Sequence, residues 1–439
     1  MANTIKNQQD ILDKLKIYQL NPMQEDAIST IEKTENTILL SPTGTGKTLA
    51  FLLPMLEKMS PDIEEVQAVI VVPSRELAIQ IEQVIRVMGT GYKVNAIYGG
   101  RTIAKDKIEL KHRPAILIGT PGRLSDHLGK GRFTIEFVKT LIIDEFDVSF
   151  EVGAGGDMQR IGNILSNVTT KVLTSATQAI EIPAYIKMDK AVVLNYLGDK
   201  QKSKSKLTLR TVISPSKNKH TVLLELLESL GNEPGIVFCN KKDTIEDLSA
   251  FLNKKRLEHT CFHAGMEQID RERALIQLRN GSVSVLIASD LASRGLDIPE
   301  MKYIIHFEIP EGVEEFTHRN GRTARVDSKG TAYILKYTKS DLPDFVGKSA
   351  VLNIPEKKTR KAQHWTTLFI SGGRKDKISK GDIAGLFFKQ GNINKDQLGV
   401  IELKQDCAFV AVPVSIADKL VESLNNTKVK KKKVRVTLL

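Results

Sequence analysis

Residues 37–48 read TILLSPTGTGKT, an apolar run followed at once by a loop with two glycines and then by the helix-like segment 49–53. A strand, a glycine loop and a helix in that order form a phosphate cradle. The glycines let backbone N–H groups point inward, and the helix N-terminus adds partial positive charge. Lys47 would then reach the outer phosphates of a nucleotide, and the Thr48 hydroxyl would bind Mg²⁺.

The strict phosphate-loop pattern has glycine where Ser41 stands, so a ligand-free glycine- and threonine-rich turn is the alternative. The candidate nucleotide ligands of this loop are Ser41, Thr43, Gly44, Thr45, Gly46, Lys47 and Thr48.

Length and composition limit the kinds of protein this chain can be. A chain of 439 residues is long enough for about two to four domains. No apolar run approaches the roughly eighteen residues of a membrane span, and the first residues have no apolar signal segment, so we expect a cytoplasmic protein without a membrane partner. Three separated cysteines form no C-x-x-C pair, which argues against a thiol metal site. The net charge of +12 favours polyanion partners.

Short apolar runs alternate with helix-length segments along most of the chain. The runs at 68–72, 115–118, 140–143 and 171–174 are continuous rather than alternating. This pattern predicts strands buried on both faces, hence a parallel α/β sheet with functional residues at the carboxyl ends of the strands. The charged segment 198–206 lacks apolar residues and predicts a linker, after which the same pattern resumes. The predicted domains are residues 1–200, 206–350 and 362–439.

An acidic cluster directly follows the apolar run that ends at Ile143. Asp144 would hold Mg²⁺ through water, and Glu145 would orient and deprotonate the attacking water. A solvated acidic turn is the alternative for this cluster taken alone. Together with the glycine loop, it favours a nucleoside triphosphatase.

Further motifs along the chain resemble those of the DEAD-box RNA helicases, in that family's order. They are residues 73–78 (PSRELA), 98–100 (YGG), 120–123 (TPGR), 144–147 (DEFD), 175–177 (SAT), 268–271 (QIDR), 289–297 (SDLASRGLD) and 318–325 (HRNGRTAR). The resemblance covers most of residues 15–340. It implies two tandem RecA-like parallel-sheet domains that close over ATP and single-stranded RNA.

The resemblance also implies roles for individual residues. Gln24 and Ile17 would contact adenine, and Asp297 would contact the ribose. The catalytic group would comprise Lys47, Asp144, Glu145, Asp147, His318, Arg322 and Arg325, and the coupling pair would be Ser175 and Thr177; packing alone is an alternative for that pair. RNA contacts in the two parallel-sheet domains would come from Arg75, Gly100, Thr120, Gly122, Arg123, Gln268, Arg271, Ser289 and Asp290.

Three positions depart from the family pattern. Phe146 replaces the usual alanine, for which we expect altered packing rather than lost catalysis. Ile17 stands where an aromatic or similar residue usually contacts adenine, and the aromatic residue usual farther upstream is missing, so adenine binding is less well defined than the phosphate chemistry. Ser289 keeps the hydroxyl of the common threonine.

The last 75 or so residues predict a small α+β domain with the order strand, helix, strand, strand, helix, strand. Residues 363–439 contain fourteen Lys and Arg against seven Asp and Glu, a net charge of +7. The segment resembles the RRM-like RNA-binding domain of DbpA-type helicases, which implies a hairpin of large-subunit ribosomal RNA as its partner. Arg374, Lys375 and Lys377 are candidate phosphate contacts. Phe369 and Phe409 would either stack bases or belong to the core.

The residues and the resemblance together therefore predict an ATP- and Mg²⁺-dependent RNA helicase with a monomeric core. It would couple RNA-stimulated ATP hydrolysis to local unwinding of structured ribosomal RNA in large-subunit assembly. The alternatives are an RNA-binding scaffold or an ATP-dependent clamp that does not unwind, and a motor directed to DNA.

Overall fold

A computed structural model describes residues 6–151, 155–177, 181–197, 206–292, 298–324, 329–356 and 364–439. These residues divide into two compact units, one ending at residue 197 and the other beginning at residue 206. Residues 198–205 of the predicted linker lie outside the described residues. The linker prediction was wrong for Lys206, which begins a strand and pairs with Lys329.

The first unit, called the first α/β region, comprises residues 6–197. Its helices are α1 (Gln8–Leu15), α2 (Pro22–Lys33), α3 (Lys47–Glu57), α4 (Arg75–Met88), α5 (Ile103–Leu110), α6 (Pro121–Gly129), α7 (Phe146–Glu151) and α8 (Gly155–Ile164). Its strands are β1 (Asn36–Leu40), β2 (Ala68–Val71), β3 (Val94–Ile97), β4 (Ile116–Gly119), β5 (Thr140–Asp144), β6 (Thr170–Ser175) and β7 (Val192–Asn195).

Within the described residues these seven strands form one parallel sheet in the order β3-β4-β2-β5-β6-β1-β7. Every residue of β2, β4 and β5 is buried, which confirms the prediction of strands covered on both faces. Two hydrophobic clusters, one on each side of the sheet, contain Ile70 and Val69 respectively, neighbours that point to opposite faces. The glycine loop after β1 and the acidic cluster after β5 therefore lie at one edge of the sheet.

The second unit contains two sheets. Residues 206–356 form the second α/β region, and residues 364–439 form the C-terminal region. The helices are α9 (His220–Leu230), α10 (Lys242–Lys254), α11 (Gln268–Arg279), α12 (Val313–Asn320), α13 (Lys380–Lys389) and α14 (Val414–Leu424). The strands of the second α/β region are β8 (Lys206–Ser214), β9 (Gly235–Phe238), β10 (Thr260–Phe262), β11 (Val285–Ala288), β12 (Tyr303–His306), β13 (Lys329–Tyr337) and β14 (Ala350–Val351).

In the described chain, the sheet of the second α/β region has the order β10-β11-β9-β12-β13-β8-β14, all parallel. Counted from its own first strand, this order repeats that of the first sheet. The predicted pair of tandem parallel-sheet folds is thereby confirmed.

The C-terminal region is built on an antiparallel sheet. Its strands are β15 (Trp365–Ile370), β16 (Ile401–Leu403), β17 (Ala408–Pro413), β18 (Lys428–Val429), β19 (Lys432–Lys433) and β20 (Val436–Leu438). Four of them pair in the order β16-β17-β15-β20, and β18 and β19 form a separate hairpin. A core of its own, which includes Leu368 and Leu420, lies between this sheet and α13 and α14. The predicted order of strands and helices is confirmed, with the β18–β19 hairpin as an addition. The predicted domain limits at 200, 206, 350 and 362 stay predictions.

None of the helices in the described residues is both long and apolar enough to cross a membrane.

Candidate active site

The loop after β1 has the backbone of a phosphate cradle. Gly44 and Gly46 have φ angles of 80° and 89°, which only glycine adopts without strain. A Cβ atom on Gly46 would lie 2.4 Å from Nε2 of Gln24, so a side chain there would also collide with α2. Gly46 is the N-cap of α3, and the positive end of this eleven-residue helix faces the loop.

Side chains of the loop hold its shape from within. The Ser41 and Thr45 hydroxyls lie 2.8 Å apart, and Thr45 also donates to the Pro42 carbonyl at 2.9 Å. Lys47 Nζ donates to the carbonyls of Ser41 at 2.6 Å and Pro42 at 3.1 Å. The serine in the glycine position therefore acts as a hydrogen-bonding partner within the turn. Thr43 and Thr48 are half-buried beside it.

Helix α2 clamps the loop from the other side. Asn21 caps α2 and donates to the Thr45 carbonyl at 2.9 Å, while Gln24 Nε2 donates to the Gly46 carbonyl at 3.2 Å. Gln24 Oε1 accepts from the Asn21 backbone at 3.0 Å, which completes a capping box. Gln24 is thus fixed against the loop. Ile17, earlier in the chain, packs against the hydrophobic core of the first α/β region. Asn21 was missed from the sequence, although its position before Pro22 is a typical cap signal.

The acidic cluster begins at the last residue of β5. Asp144 is buried, and its Oδ1 accepts hydrogen bonds from the Thr174 hydroxyl and, at 3.1 Å, from the Glu145 backbone. Burial raises the pKa of the Asp144 carboxyl, against the opposing effects of the Thr174 hydrogen bond and the Lys47 charge. Glu145 has a φ of 50°, so its backbone is held in the left-handed region at this point.

Strand β6 connects the acidic cluster with the glycine loop. It lies between β5 and β1 in the sheet, and its Ser175 carbonyl accepts from the Ser41 backbone at 3.0 Å. Beyond the strand, the Thr177 hydroxyl donates to Asp147 at 2.7 Å, and the Ser175 hydroxyl accepts from the Thr177 backbone at 3.0 Å. These bonds place Ser175 and Thr177 against the acidic cluster; their coupling role stays a prediction.

Phe146 interrupts this polar cluster. Its ring is fully buried in the core, 5.8 Å from the ring of Phe150. The side chain therefore points away from the carboxylates on either side of it, in keeping with an effect on packing.

The predicted RNA contacts of the first α/β region cluster at the ends of β2, β3 and β4. Arg75 begins α4, and its Nη1 lies 2.3 Å from where a Cβ of Gly100 would be, so the glycine makes room for the guanidinium. Gly100 also has a φ of 87°. Gly122 is exposed and Thr120 half-buried at the start of α6.

Arg123 lies inside an ionic network rather than on the surface. It donates to the Tyr98 carbonyl at 3.2 Å and to the Arg101 carbonyl, and its Nη1 is 3.4 Å from Asp106. The fully buried Asp106 also pairs with Arg101 at 2.8 Å and with His127 at 3.2 Å. This network joins the 98–101 loop to α6, so Arg123 positions two segments of the predicted RNA-binding edge. Its direct contact with RNA stays a prediction, and the buried partner Asp106 carried no sequence signal.

In the second α/β region, Asp290 is engaged by a residue that sequence reasoning did not select. Arg319, whose side chain is 0% exposed, donates to both Asp290 oxygens at 2.6 and 2.8 Å. It also donates to the Glu308 carbonyl and to Asn240, each at 2.7 Å. Arg319 thus joins the ends of β9, β11 and β12, with Ser289 half-buried beside Asp290. Arg319 lies within the motif at residues 318–325, and membership of that motif was the sequence signal that could have identified it.

The remaining predicted residues of this region are mostly buried. His318, Arg322 and Arg271 are buried, and Gln268 is half-buried at the start of α11. Asp297 and Arg325 lie outside the described residues.

The candidate phosphate loop of the C-terminal region is ordered and exposed. Arg374, Lys375 and Lys377 are exposed on a 3₁₀ turn whose backbone bonds to the Lys404 and Gln405 carbonyls at 3.0 and 2.8 Å. Lys430 from the β18–β19 hairpin donates to the Lys377 carbonyl. The turn and the hairpin therefore form one basic surface.

Three family profiles match the chain in succession. They are the DEAD/DEAH box helicase profile over residues 21–184, the helicase conserved C-terminal domain over 218–327 and the DbpA RNA binding domain over 367–438.

Curated relatives extend these matches. The chain is 34% identical to the ATP-dependent RNA helicase DBP8 of Debaryomyces hansenii over 74% of this chain and 77% of that protein. It is 28% identical to the ATP-dependent RNA helicase DbpA of Bacillus subtilis over 97% and 96% of the two chains, and 29% identical to that of Escherichia coli over 98% and 96%.

Two solved structures are also similar to this chain. S. cerevisiae Dbp5 bound to RNA and ADP BeF3 matches with a TM-score of 0.71 and 26% identity, over 79% of this chain and 94% of that one. Mss116p bound to ssRNA and AMP-PNP matches with a TM-score of 0.67 and 26% identity, over 75% and 72%.

Proposed function

Since the chain belongs to the DEAD-box family of ATP-dependent RNA helicases, we propose that it couples ATP hydrolysis at the β1 and β5 strand ends to opening of structured ribosomal RNA during large-subunit assembly. The supporting observation is the convergence on one sheet edge of the glycine loop, Asp144 and the linking strand β6. ATP is the cofactor of this family.

The residues of the site divide the work on the nucleotide. The loop from Ser41 to Thr48 holds the phosphates through backbone N–H groups, and Lys47 leaves its two loop carbonyls to neutralise phosphate charge. Glu145 accepts a proton from the attacking water, because its carboxylate follows Asp144 directly at the strand end. Gln24 and Ile17 border the adenine, and Asp297 contacts the ribose.

The donor set also fits Mg²⁺. Among the described residues no group of three or more His, Cys, Asp or Glu side chains is arranged to hold a metal, so an all-protein cage is not present there. Asp144 instead presents a single buried carboxylate whose ionised form is disfavoured by burial, and a divalent cation would favour that form. Thr48 and Asp144 would hold Mg²⁺, which supplies positive charge to the phosphate oxygens.

The arginines of the second α/β region complete the proposed chemistry. Arg322 and Arg325, with His318, act on the γ-phosphate when RNA brings the two α/β regions together. Arg319 and Asp290 hold the ends of three strands in place for this purpose. The core acts as a monomer.

RNA is gripped without base preference by the α/β regions and selected by the C-terminal region. Arg75, Gly100, Thr120, Gly122 and Arg123 serve the first region, with Gln268, Arg271, Ser289 and Asp290 in the second. The exposed Arg374, Lys375 and Lys377 contact the phosphates of a ribosomal RNA hairpin. We place the protein in the cytoplasm.

Substitution of the proposed base tests the catalytic assignment. Glu145→Gln should lower RNA-stimulated phosphate release by at least about 100-fold while leaving ATP and RNA binding intact. Glu136→Gln, on an exposed carboxylate of the same region, is the matched control and should behave as the unchanged chain. Undiminished turnover in Glu145→Gln would overturn the assignment. Strand displacement measured alongside separates an unwinding enzyme from a clamp, and replacing RNA with DNA separates both from a DNA motor.

The RNA target is tested by competition at one stated salt concentration. The full chain should bind a ribosomal hairpin more tightly than unstructured RNA of equal length. Lys375→Ala with Lys377→Ala should remove this preference, whereas Lys389→Ala with Lys395→Ala, on exposed lysines of the same region, should keep it. Equal affinity of the unchanged chain for both RNAs would contradict hairpin recognition.

A further inference from the structure

One face of the C-terminal sheet is turned away from its own core. Along β15, Leu368 and Ile370 are buried in the core of the C-terminal region. Trp365, Thr367 and Phe369 alternate with them and therefore lie on the opposite face. Phe409 on β17 pairs with Phe369, and Glu402 on β16 pairs with Phe409, so both lie on that same face. We call this side of the sheet, which faces away from the core of the C-terminal region, the open face.

The open face contacts the second α/β region where α11 ends. The Ser282 and Thr367 hydroxyls lie 2.6 Å apart, and Asn280 Nδ2 donates to the same Thr367 oxygen at 3.3 Å. Thr367 and Asn280 are 2% and 5% exposed. Gly281 lies between these two partners with a φ of 70°, and a Cβ built on it would be 3.9 Å from Trp365. The turn after α11 is thus seated on the middle of the face.

An ion pair fastens the edge of this contact. Arg279, the last residue of α11, donates through Nε and Nη2 to the two oxygens of Glu402 at 2.6 and 2.9 Å. The side chains are 22% and 16% exposed. Burial alone would raise the Glu402 pKa, but the hydrogen bonds and charge of Arg279, with Lys404 and Lys380, lower it. A bidentate pair shielded from water is stronger and more directional than a surface pair.

We propose that the open face of the C-terminal sheet is an intramolecular docking surface for the turn after α11, and that Arg279 and Glu402 are the positioning pair that locks it. The C-terminal region then holds its RNA at a fixed place relative to the second α/β region. It does not swing on a tether. This statement about RNA rests on the proposed function, whereas the docking itself does not.

Disulfide trapping tests the docking directly. Ser282→Cys with Thr367→Cys, in a full chain with Cys261→Ser and Cys407→Ser, places two thiols where the hydroxyls lie 2.6 Å apart. Diamide oxidises the two thiols to a disulfide and takes up their two hydrogens. We expect nearly complete cross-linking, seen as a mobility shift, and none in a chain that carries only one of the two introduced cysteines beside the buried Cys239. A folded double variant that stays uncross-linked, with its ATP turnover on unstructured RNA retained, would overturn the docking.

The positioning pair is tested in the same background. Arg279→Glu should slow cross-linking by at least about tenfold, because like charges would then face each other. Adding Glu402→Arg should restore most of the rate. Arg86→Glu, which removes an exposed helical ion pair with Glu82 in the first α/β region, is the matched control and should leave the rate unchanged. An unchanged rate in Arg279→Glu would overturn the role of the pair.

Unwinding by the trapped chain tests the consequence for RNA. With a stem-loop RNA that carries an adjacent duplex, the cross-linked chain should unwind within about twofold of its reduced form. Loss of unwinding that reduction restores would show that the region must undock, and would overturn the fixed placement. If the unchanged chain shows no RNA-stimulated turnover, the proposed function fails while the trapping result stands.

Discussion

The two α/β regions have the same strand order, yet the turn after the first strand is an open glycine loop in one and is filled by its own side chains in the other. Residues 41–47 after β1 read SPTGTGK, and residues 214–220 from the end of β8 read SPSKNKH. The first turn has two glycines at positive φ and holds Lys47 on its own carbonyls. The second has no glycine, and Lys219 turns inward to the Phe307 and Leu335 carbonyls at the ends of β12 and β13.

The second turn is closed by its own side chains. Lys219 lies 4.8 Å above the Phe307 ring, and His220 packs edge-on against Phe307 and Phe251. Burial lowers the Lys219 pKa. Asn218 accepts from the His220 backbone at 3.0 Å, where the first turn has an open loop. Topology therefore sets where a ligand site can form, and glycine content decides whether the turn admits a ligand or fills itself.

Replacing each of the two lysines with alanine should give the largest difference between the two turns. Lys47→Ala should lower RNA-stimulated ATP turnover by about 10³-fold, because a cation on the transferred phosphates is lost. Lys219→Ala should keep turnover within about twofold but lower the free energy of unfolding by about 1–3 kcal/mol, because two buried carbonyls lose a donor. Phosphate release and denaturant unfolding measure the two effects. Equal losses of turnover would contradict the distinction.

The buried Asp144 and the half-buried Asp290 should respond to substitution by asparagine with opposite changes in stability. Asp290→Asn should lower the free energy of unfolding by about 3 kcal/mol, because Arg319 loses half of a bidentate partner while fully buried. Asp144→Asn should instead raise it by about 1 kcal/mol in the absence of nucleotide, since burial disfavours the Asp144 charge and an amide oxygen still accepts from Thr174. Urea unfolding at pH 7 decides; destabilisation by Asp144→Asn would contradict this account.

Removal of one glycine should affect the first turn and not the second. Gly46→Ala forces a Cβ toward Gln24 at a φ of 89°, and we expect ATP affinity to fall at least tenfold. Asn218→Ala, at the equivalent turn, should leave ATP affinity unchanged and lower stability by about 1 kcal/mol through loss of the bond to His220. Fluorescent-nucleotide titration provides the comparison, and an unchanged affinity in Gly46→Ala would show that the turn adapts.

The smallest expected difference between the two sheets is in the pH dependence of the free energy of unfolding. Strand pairing places His306 in β12 where Ile143 lies in β5, since each is opposite the last residue of the neighbouring strand, Phe238 or Val71. Burial and the Arg319 charge lower the His306 pKa to about 3, against the raising effect of Asn320. Below its ordinary pKa near 6.5 the unfolded chain binds a proton that the folded chain does not, so stability falls as pH falls toward 3. Between pH 6.5 and 5.5 we expect a loss of about 1 kcal/mol, absent in His306→Ile.

The parts of the fold that the sequence predicted are those with strong local signals. Continuous apolar runs marked β2, β4, β5 and β6, because parallel strands buried on both faces need them. Strand β8 escaped notice because polar residues alternate with apolar ones along most of its length. Strand β7, whose Val192 and Val193 are exposed at the edge of the first sheet, was also missed. Motif spacing selected the glycine loop and Asp144, which the structure places at one edge of the sheet; their binding of nucleotide stays a prediction.

Contacts between distant segments could not be predicted in this way. Arg123 was recognisable from its motif, but its burial against Asp106 depends on how α5 and α6 pack. Arg279 and Glu402 are 123 positions apart, and nothing local to either residue distinguishes it from other surface charges. Such pairs are set by tertiary packing, on which a single sequence carries little information.

The position of the single tryptophan gives the protein an optical property of its own. Trp365 is the only tryptophan in the chain, and it begins the strand whose open face meets the turn after α11. Its indole emission therefore reports on that contact without any label. A red shift of the intrinsic fluorescence would accompany hydration of the indole. The contact between Trp365 and the turn after α11 can thus be monitored in the native chain during ATP turnover, and the emission should stay constant if the C-terminal region remains docked.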